Sequence, residues 1–128
     1  MTSHQESPFK GKTGLKRLSN ALGYSLDGLR AALRHEDAFR QLALLAVVLI
    51  PLAIFAVPAS GVGKALLVAA SLATLVIELL NSAIEAAVDH TSLERHPLAK
   101  RAKDMGSAAQ LLGLLNLAAM WALVLSGS

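Results

Sequence analysis

An all-α membrane protein is expected here: an amphipathic N-terminal helix at the membrane interface, then three transmembrane helices. Three observations predict it. Hydrophobic residues make up 54% of the 128-residue chain and the mean hydropathy is +0.52, which suits a small polytopic membrane protein. Apolar stretches long enough to span a bilayer recur after residue 37. Ahead of them, leucines recur at helical spacing among basic residues.

The elements follow in order. Residues 1–14 read as a loose tail, rich in Ser, Lys, Gly and Thr. Leu15, Leu18, Leu22, Leu26, Leu29 and Leu33 are spaced by three and four, so a helix is expected from Leu15 to Arg34. Lys16, Arg17, Asn20, Asp27, Arg30 and Arg34 fall on its polar side. Such a helix can lie in the membrane interface, although it can equally pack on a protein core. Gly23 and Gly28 weaken it. No short apolar segment opens the chain, so targeting is expected from the first span itself.

That span is expected from Asp37 or Ala38 to Val57, with an irregularity at Pro51, which cannot donate a helical hydrogen bond. Pro58, Ser60, Gly61 and Gly63 suggest a short turn. The second span is expected from Val62 to Val88, a polar loop from Asp89 to Asp104, and the third span from Met105 to Leu125. Gly106, Ser107, Ala108 and Ala109 open the third span, and small residues there permit close helix approach.

Charge sets the expected orientation. Lys10, Lys12, Lys16, Arg17, Arg30, Arg34 and Arg40 lie before Leu42. Arg95, Lys100, Arg101 and Lys103 lie in the second loop, while only Lys64 lies in the turn. The N-terminus and second loop should therefore face the cytoplasm. Without Cys there is no disulfide framework, Cys-based zinc site or thiol redox chemistry. Nucleic acid is not an expected partner: aromatic residues are 4% of the chain and the basic residues flank membrane spans.

Function is carried by a polar stripe on the second span. Glu78, Asn81, Ser82, Glu85 and Asp89 fall within about 100° of arc at about 100° per residue. Leu72, Leu79, Leu80, Ala83 and Ala87 occupy the other side. A carboxylate inside a membrane is costly unless it is paired, hydrated or bound to a cation. Pairing with basic residues would satisfy the stripe, but few basic residues fall within the spans. At about 1.5 Å per residue, Glu78 lies roughly 10 Å deeper than Glu85, inside the acyl boundary. Glu36 opens the first span on the same side. Hard oxygen ligands suit magnesium, which also binds phosphates, and Lys or Arg suit the phosphates. A buried Glu can serve as general base toward an alcohol. Metal, phosphate clamp and base at head-group depth are the parts needed for phosphoryl transfer to a lipid hydroxyl.

Soluble nucleotide motifs are absent. Gly11-Lys12-Thr13 would place the first glycine of a P-loop at Glu6, and Gly63-Lys64 is followed by Ala65. His35-Glu36 lacks a second His, since Phe39 stands in its place. His90 and His96 are read as solvated loop residues rather than metal ligands.

Two runs, Glu78-Leu79-Leu80-Asn81-Ser82-Ala83-Ile84-Glu85-Ala86-Ala87-Val88-Asp89 and Ala102-Lys103-Asp104-Met105-Gly106-Ser107-Ala108-Ala109, resemble the two signatures of the prokaryotic diacylglycerol kinase family. Gly23-Tyr24-Ser25, Gly28 to Ala32, Glu36 and Ala38 to Gln41 resemble its N-terminal region. The resemblance covers Leu15 to Leu125. It implies a homotrimer with active sites shared between subunits, in which residues 15–128 form one membrane-embedded lipid kinase domain in the bacterial inner membrane. The implied reaction is transfer of the ATP γ-phosphate to diacylglycerol, giving phosphatidic acid, with Mg2+ as cofactor. The same motifs occur in relatives that phosphorylate undecaprenol. A non-enzymatic proton or cation pathway is a third reading, but it has no need of Glu36 or of a Lys103-Asp104 pair at the interface.

The resemblance also implies roles. Glu78 matches the catalytic base, Asn81 a polar residue supporting it, and Glu36 and Glu85 the magnesium ligands. Arg17, Tyr24, Glu36, Glu85, the run Glu94, Arg95 and His96, and Lys103 with Asp104 match positions that contact ATP. The lipid site would draw on Arg17, Ala21, Leu22, Gly23, Tyr24, Ser25 and Leu26, then on Arg30, Ala31, Ala32 and Leu33. Ala38, Phe39, Arg40, Gln41 and Leu42 would continue it, with Ser107 and Glu78 beside them. Two positions depart from the family pattern: Leu26 stands where Trp is frequent, and Leu42 where an acidic residue is frequent.

Overall fold

The protein is described by a computed structural model that covers residues 14–91 and 96–127. The described residues are helical almost throughout and contain no strand. They divide into two units, one ending at His35 and one beginning at Glu36. The expected tail lies outside the described residues, apart from Gly14.

The first unit is α1, Gly14–His35. It matches the leucine spacing to within one residue at each end. Gly14 enters it at φ 62°, a conformation that favours glycine. The helix runs through Gly23 and Gly28 without a break. Two of its side-chain bonds stay within the helix: Ser25 Oγ donates to the Ala21 carbonyl at 2.9 Å, and Arg30 pairs with Asp27 at 3.3 Å.

The second unit is a three-helix hairpin. It comprises α2 (Asp37–Pro51), α3 (Gly61–Thr91) and α4 (Pro97–Gly127). Glu36 opens this unit with extended backbone at the N-terminus of α2. The irregularity expected at Pro51 takes the form of a π-helical turn over Leu52–Ala56, directly after the proline. The Val57 N–H closes it by donating to the Leu52 carbonyl at 3.0 Å. Lys64, which served above only to set orientation, reaches back and donates to the Ile54 carbonyl at 2.9 Å. A cation there satisfies a carbonyl at a helix C-terminus.

The expected turn around Pro58 is shorter than the sequence suggested. Ser60 caps α3, its Oγ accepting from the Gly63 N–H at 3.1 Å, so Gly61 and Gly63 are already helical. The expected polar loop, Asp89 to Asp104, is also too long. α3 continues to Thr91 and α4 begins at Pro97. Proline suits the first helical position, His96 Nδ1 accepts from the Leu98 N–H at 3.1 Å, and Lys100 pairs with Asp104 one turn on at 2.6 Å. Hydropathy marks where apolar side chains end, whereas these bonds decide where the helix ends. α2 with its π-turn, α3 and α4 are each long and apolar enough to cross a membrane. At 31 residues, α3 and α4 each measure about 46 Å, against roughly 30 Å of hydrocarbon. Their polar turns can therefore project beyond the acyl region.

α2 and α4 both pack on α3. The buried face of α3 is Leu67, Ala70, Ser71, Thr74, Glu78, Asn81 and Ser82, a stripe along one side of the helix. Gly106, Gln110, Gly113 and Leu117 form the buried face of α4. Near the turn the packing is apolar: Ala53, Val57 and Leu67 are buried, with Val68, Met120, Trp121 and Val124 against them. Toward the other end the buried face of α3 becomes polar. That change along one seam positions the site.

Candidate active site

Among the described residues, Glu78 is the buried carboxylate of the three-helix unit, only 8% exposed. Gln110 Nε2 on α4 donates to its Oε1 at 3.1 Å, and the same nitrogen donates to the Thr74 carbonyl at 2.9 Å. Ser82 Oγ lies 3.5 Å from Oε2. Thr74 and Ser71 continue the seam, each bonded to a carbonyl one turn back. The partners of Glu78 are thus uncharged donors. Glu78 and Gln110 each lie thirteen residues from the helix end that faces the α3–α4 connection, a depth of about 20 Å.

Asn81 is buried one turn from Glu78, and its Oδ1 has no hydrogen-bond partner. It fits because Gly106 faces it. A Cβ on Gly106 would stand 2.2 Å from Asn81 Oδ1 and 3.2 Å from its Cγ. Gly113 permits the same closeness one level deeper, where a Cβ would meet Ile77 Cδ1 at 2.7 Å and Gln110 Oε1 at 2.9 Å. Of the small residues expected to bring α4 close, Gly106 does so. Ser107, Ala108 and Ala109 are exposed.

Nearer the helix ends the seam becomes ionic. Lys103 Nζ on α4 lies 2.6 Å from Asp89 Oδ1 on α3, and Glu85 adds its attraction to the same ammonium. Pairing of the stripe with basic residues therefore holds at Asp89 and not at Glu78. Asp104 instead bonds Lys100, so neighbours in sequence have different partners. Pro97, Lys100, Arg101, Asp104, Met105 and Ala108 line a shallow groove of about 520 Å³. Lys100 and Arg101 are cations that the sequence reading did not assign.

The other expected residues are placed as follows. Glu36 and Glu85 are half-buried. Both belong to the end where α2 begins and α3 finishes. Among the described residues no three Asp, Glu or His side chains converge as a metal cage. Two carboxylates fit a cation that arrives with phosphates and waters. On α2, Phe39 is buried, Ala38 and Gln41 are exposed, Leu42 is half-buried and Arg40 pairs with Asp37. Arg17, Ala21 to Leu26 and Arg30 to Leu33 all lie on α1. His96 is exposed at the start of α4, while Glu94 and Arg95 fall outside the described residues.

Sequence reasoning missed Thr74, Gln110 and Gly113. A signal for Gln110 was present, since a lone amide inside an apolar span needs a partner. One helix pattern alone does not say which neighbour provides it.

This arrangement offers a carboxylate held by neutral donors at lipid depth, with cations and further carboxylates toward the surface. The description "Prokaryotic diacylglycerol kinase" belongs to a family model that matches residues 23–125. A Pseudomonas aeruginosa protein named diacylglycerol kinase is 61% identical over 121 residues, covering 94% of this chain and 98% of its own length. A diacylglycerol kinase of Helicobacter pylori strain 26695 is 49% identical over 116 residues, covering 91% and 89%. One from Escherichia coli K12 is 40% identical over 113 residues, covering 88% and 92%.

Proposed function

Because the chain belongs to the prokaryotic diacylglycerol kinase family, we propose that it transfers the γ-phosphate of ATP to diacylglycerol, giving phosphatidic acid. Family membership sets aside the reading as a non-enzymatic pathway. The observation that carries the chemistry is the buried Glu78 on the α3–α4 seam, bonded by Gln110 and flanked by Thr74, Asn81 and Ser82 on the same buried face.

Glu78 is the general base. Its carboxylate takes the proton from the lipid hydroxyl as that oxygen bonds to the γ-phosphorus. The bond from phosphorus to the bridging oxygen breaks and ADP leaves. Removing the proton during attack avoids building positive charge on the incoming oxygen. Asn81, one turn away and confined by Gly106, supports the reacting end of this site. Lys103 carries positive charge at the polar end of the seam, where phosphates would lie. Lys100, Arg101 and Asp104 extend the polar groups onto the groove. Arg17 and Tyr24 of α1 and His96 of α4 complete the ATP contacts, with Glu94 and Arg95 in the connection. The residues of α1 and early α2 named above line the lipid site, and α1 lies in the membrane interface.

Glu36 and Glu85 would hold the magnesium that accompanies ATP, and the ion would offset phosphate charge. Each of Glu85→Gln and Glu36→Gln is expected to raise the magnesium concentration required for half-maximal activity by several fold and to weaken MgATP binding. Unchanged magnesium titrations in both variants would remove this assignment.

The enzyme sits in the bacterial inner membrane with its N-terminus and the α3–α4 connection in the cytoplasm, as the Lys and Arg distribution indicates. It works as a homotrimer with sites shared between subunits. The number three follows the family resemblance. The need for a neighbour follows from size: three spans and one further helix are little protein with which to enclose a metal, a nucleotide and a lipid. The acceptor is tested by competition. Purified protein given labelled ATP with equal diacylglycerol and undecaprenol should label mainly phosphatidic acid. Undecaprenyl phosphate as the main product would replace the lipid in this account.

A further inference from the structure

We propose that Gln110 is a positioning residue for the reaction: it holds Oε1 of Glu78 and so assigns proton transfer to Oε2. This rests on the reading of Glu78 as the base. The two helices meet at this point through one amide. Gln110 is 8% exposed, and its Nε2 makes both the 2.9 Å bond to the Thr74 carbonyl and the 3.1 Å bond to Glu78 Oε1. Those bonds use the two hydrogens of a single NH2 group.

The orientation of the amide is determined by its surroundings. The Thr74 carbonyl can only accept, so the NH2 end of Gln110 must face it. Oε1 of Glu78 then receives the second hydrogen and is committed as an acceptor. A proton arriving on Glu78 goes to Oε2, the oxygen 3.5 Å from Ser82 Oγ. The amide therefore distinguishes two oxygens that are chemically equivalent in a free carboxylate. It also fixes the carboxylate plane from a neighbouring helix, where the flexible side chain of Glu78 could not fix it alone.

A second observation separates this role from simple packing. Gln110 Oε1 is buried without a hydrogen-bond partner, and Gly113 leaves room for it. A residue retained only to fill the seam would avoid that uncompensated acceptor, and Leu or Met would serve better. Retaining the amide makes sense if its donor end is needed.

The test uses the full-length protein in mixed micelles, with turnover measured against both substrates. Gln110→Met keeps the shape of the side chain without its donor, and Gln110→Glu keeps its size with an acceptor in place of the NH2. Both should lower kcat about tenfold or more, on the scale of lost orientation at a reacting group. KM for ATP and for diacylglycerol should stay within about twofold, within the spread of a pure positioning effect. In a Glu78→Gln background, Gln110→Met should cause no further loss, because the oxygen it orients is no longer a base. Unchanged kcat in Gln110→Met and Gln110→Glu, with Glu78→Gln severely impaired, would overturn the positioning role and leave the base in place. An equal proportional loss from Gln110→Met in both backgrounds would also overturn it, as a structural effect. Full turnover in Glu78→Gln would overturn the base and the inference together.

Discussion

Glu78→Gln should lower turnover at least about a hundredfold, within the usual range for removing a general base. Gln has the size of Glu, and its side-chain oxygen can still accept from Gln110 while its amide faces Ser82. The seam between α3 and α4 should therefore stay packed, and ATP binding should be largely retained. The substitution removes only the capacity to take a proton. Turnover and nucleotide affinity measured on the same folded preparation separate these effects. Near-normal turnover in that preparation would exclude Glu78 as the base.

The second large effect is expected at a residue with no functional group. Gly106→Ala places a methyl 2.2 Å from Asn81 Oδ1, well inside contact distance. Asn81 has a short side chain, and its Cγ would be only 3.2 Å away, so it must leave its rotamer or α4 must move outward. Rotation is the cheaper response, since overpacking that shifts helices typically costs about 1–3 kcal/mol. Stability should then change modestly while activity falls by at least about tenfold, because a small misplacement at a reacting centre can cost up to about a hundredfold. Gly113→Ala provides the comparison. The atoms its Cβ would meet, Ile77 Cδ1 and Gln110 Oε1, are the ends of longer side chains. Thermal unfolding should change little in either variant, and turnover should fall in Gly106→Ala through Asn81, whereas any loss in Gly113→Ala would act through Gln110. Unchanged turnover in a folded Gly106→Ala variant would mean that the position of Asn81 does not matter to the reaction.

Periodicity located the elements better than hydropathy located their ends. Six leucines placed α1 almost to the residue, because spacing reports helical geometry directly. Pro51 announced an irregularity, because a missing N–H perturbs the ladder when it falls inside a helix. The connection after α3 was overestimated because Lys100 and Asp104 read as loop residues, although they are a helical pair. The polar stripe was legible at Glu78, Asn81 and Ser82, all of them buried. It continues to Thr74 and Ser71, whose small hydroxyl side chains did not stand out among the Ala and Leu around them. The partner of Glu78 was hidden for a different reason. Gln110 is 32 residues away in sequence, and its meaning depends on the rotation of α4 about its own axis. The same holds for Lys103, whose bond to Asp89 joins two helices that the sequence presents separately.

The central claim is that this chain phosphorylates a lipid hydroxyl at the Glu78 end of the α3–α4 seam. It is tested most directly by product stoichiometry. Purified protein in diacylglycerol-containing bicelles would be given MgATP, with phosphatidic acid and ADP quantified together over time. The account predicts one phosphatidic acid per ADP, with both rates collapsing together in Glu78→Gln. ADP release without matching phosphatidic acid, or phosphatidic acid formed equally well by Glu78→Gln, would contradict it.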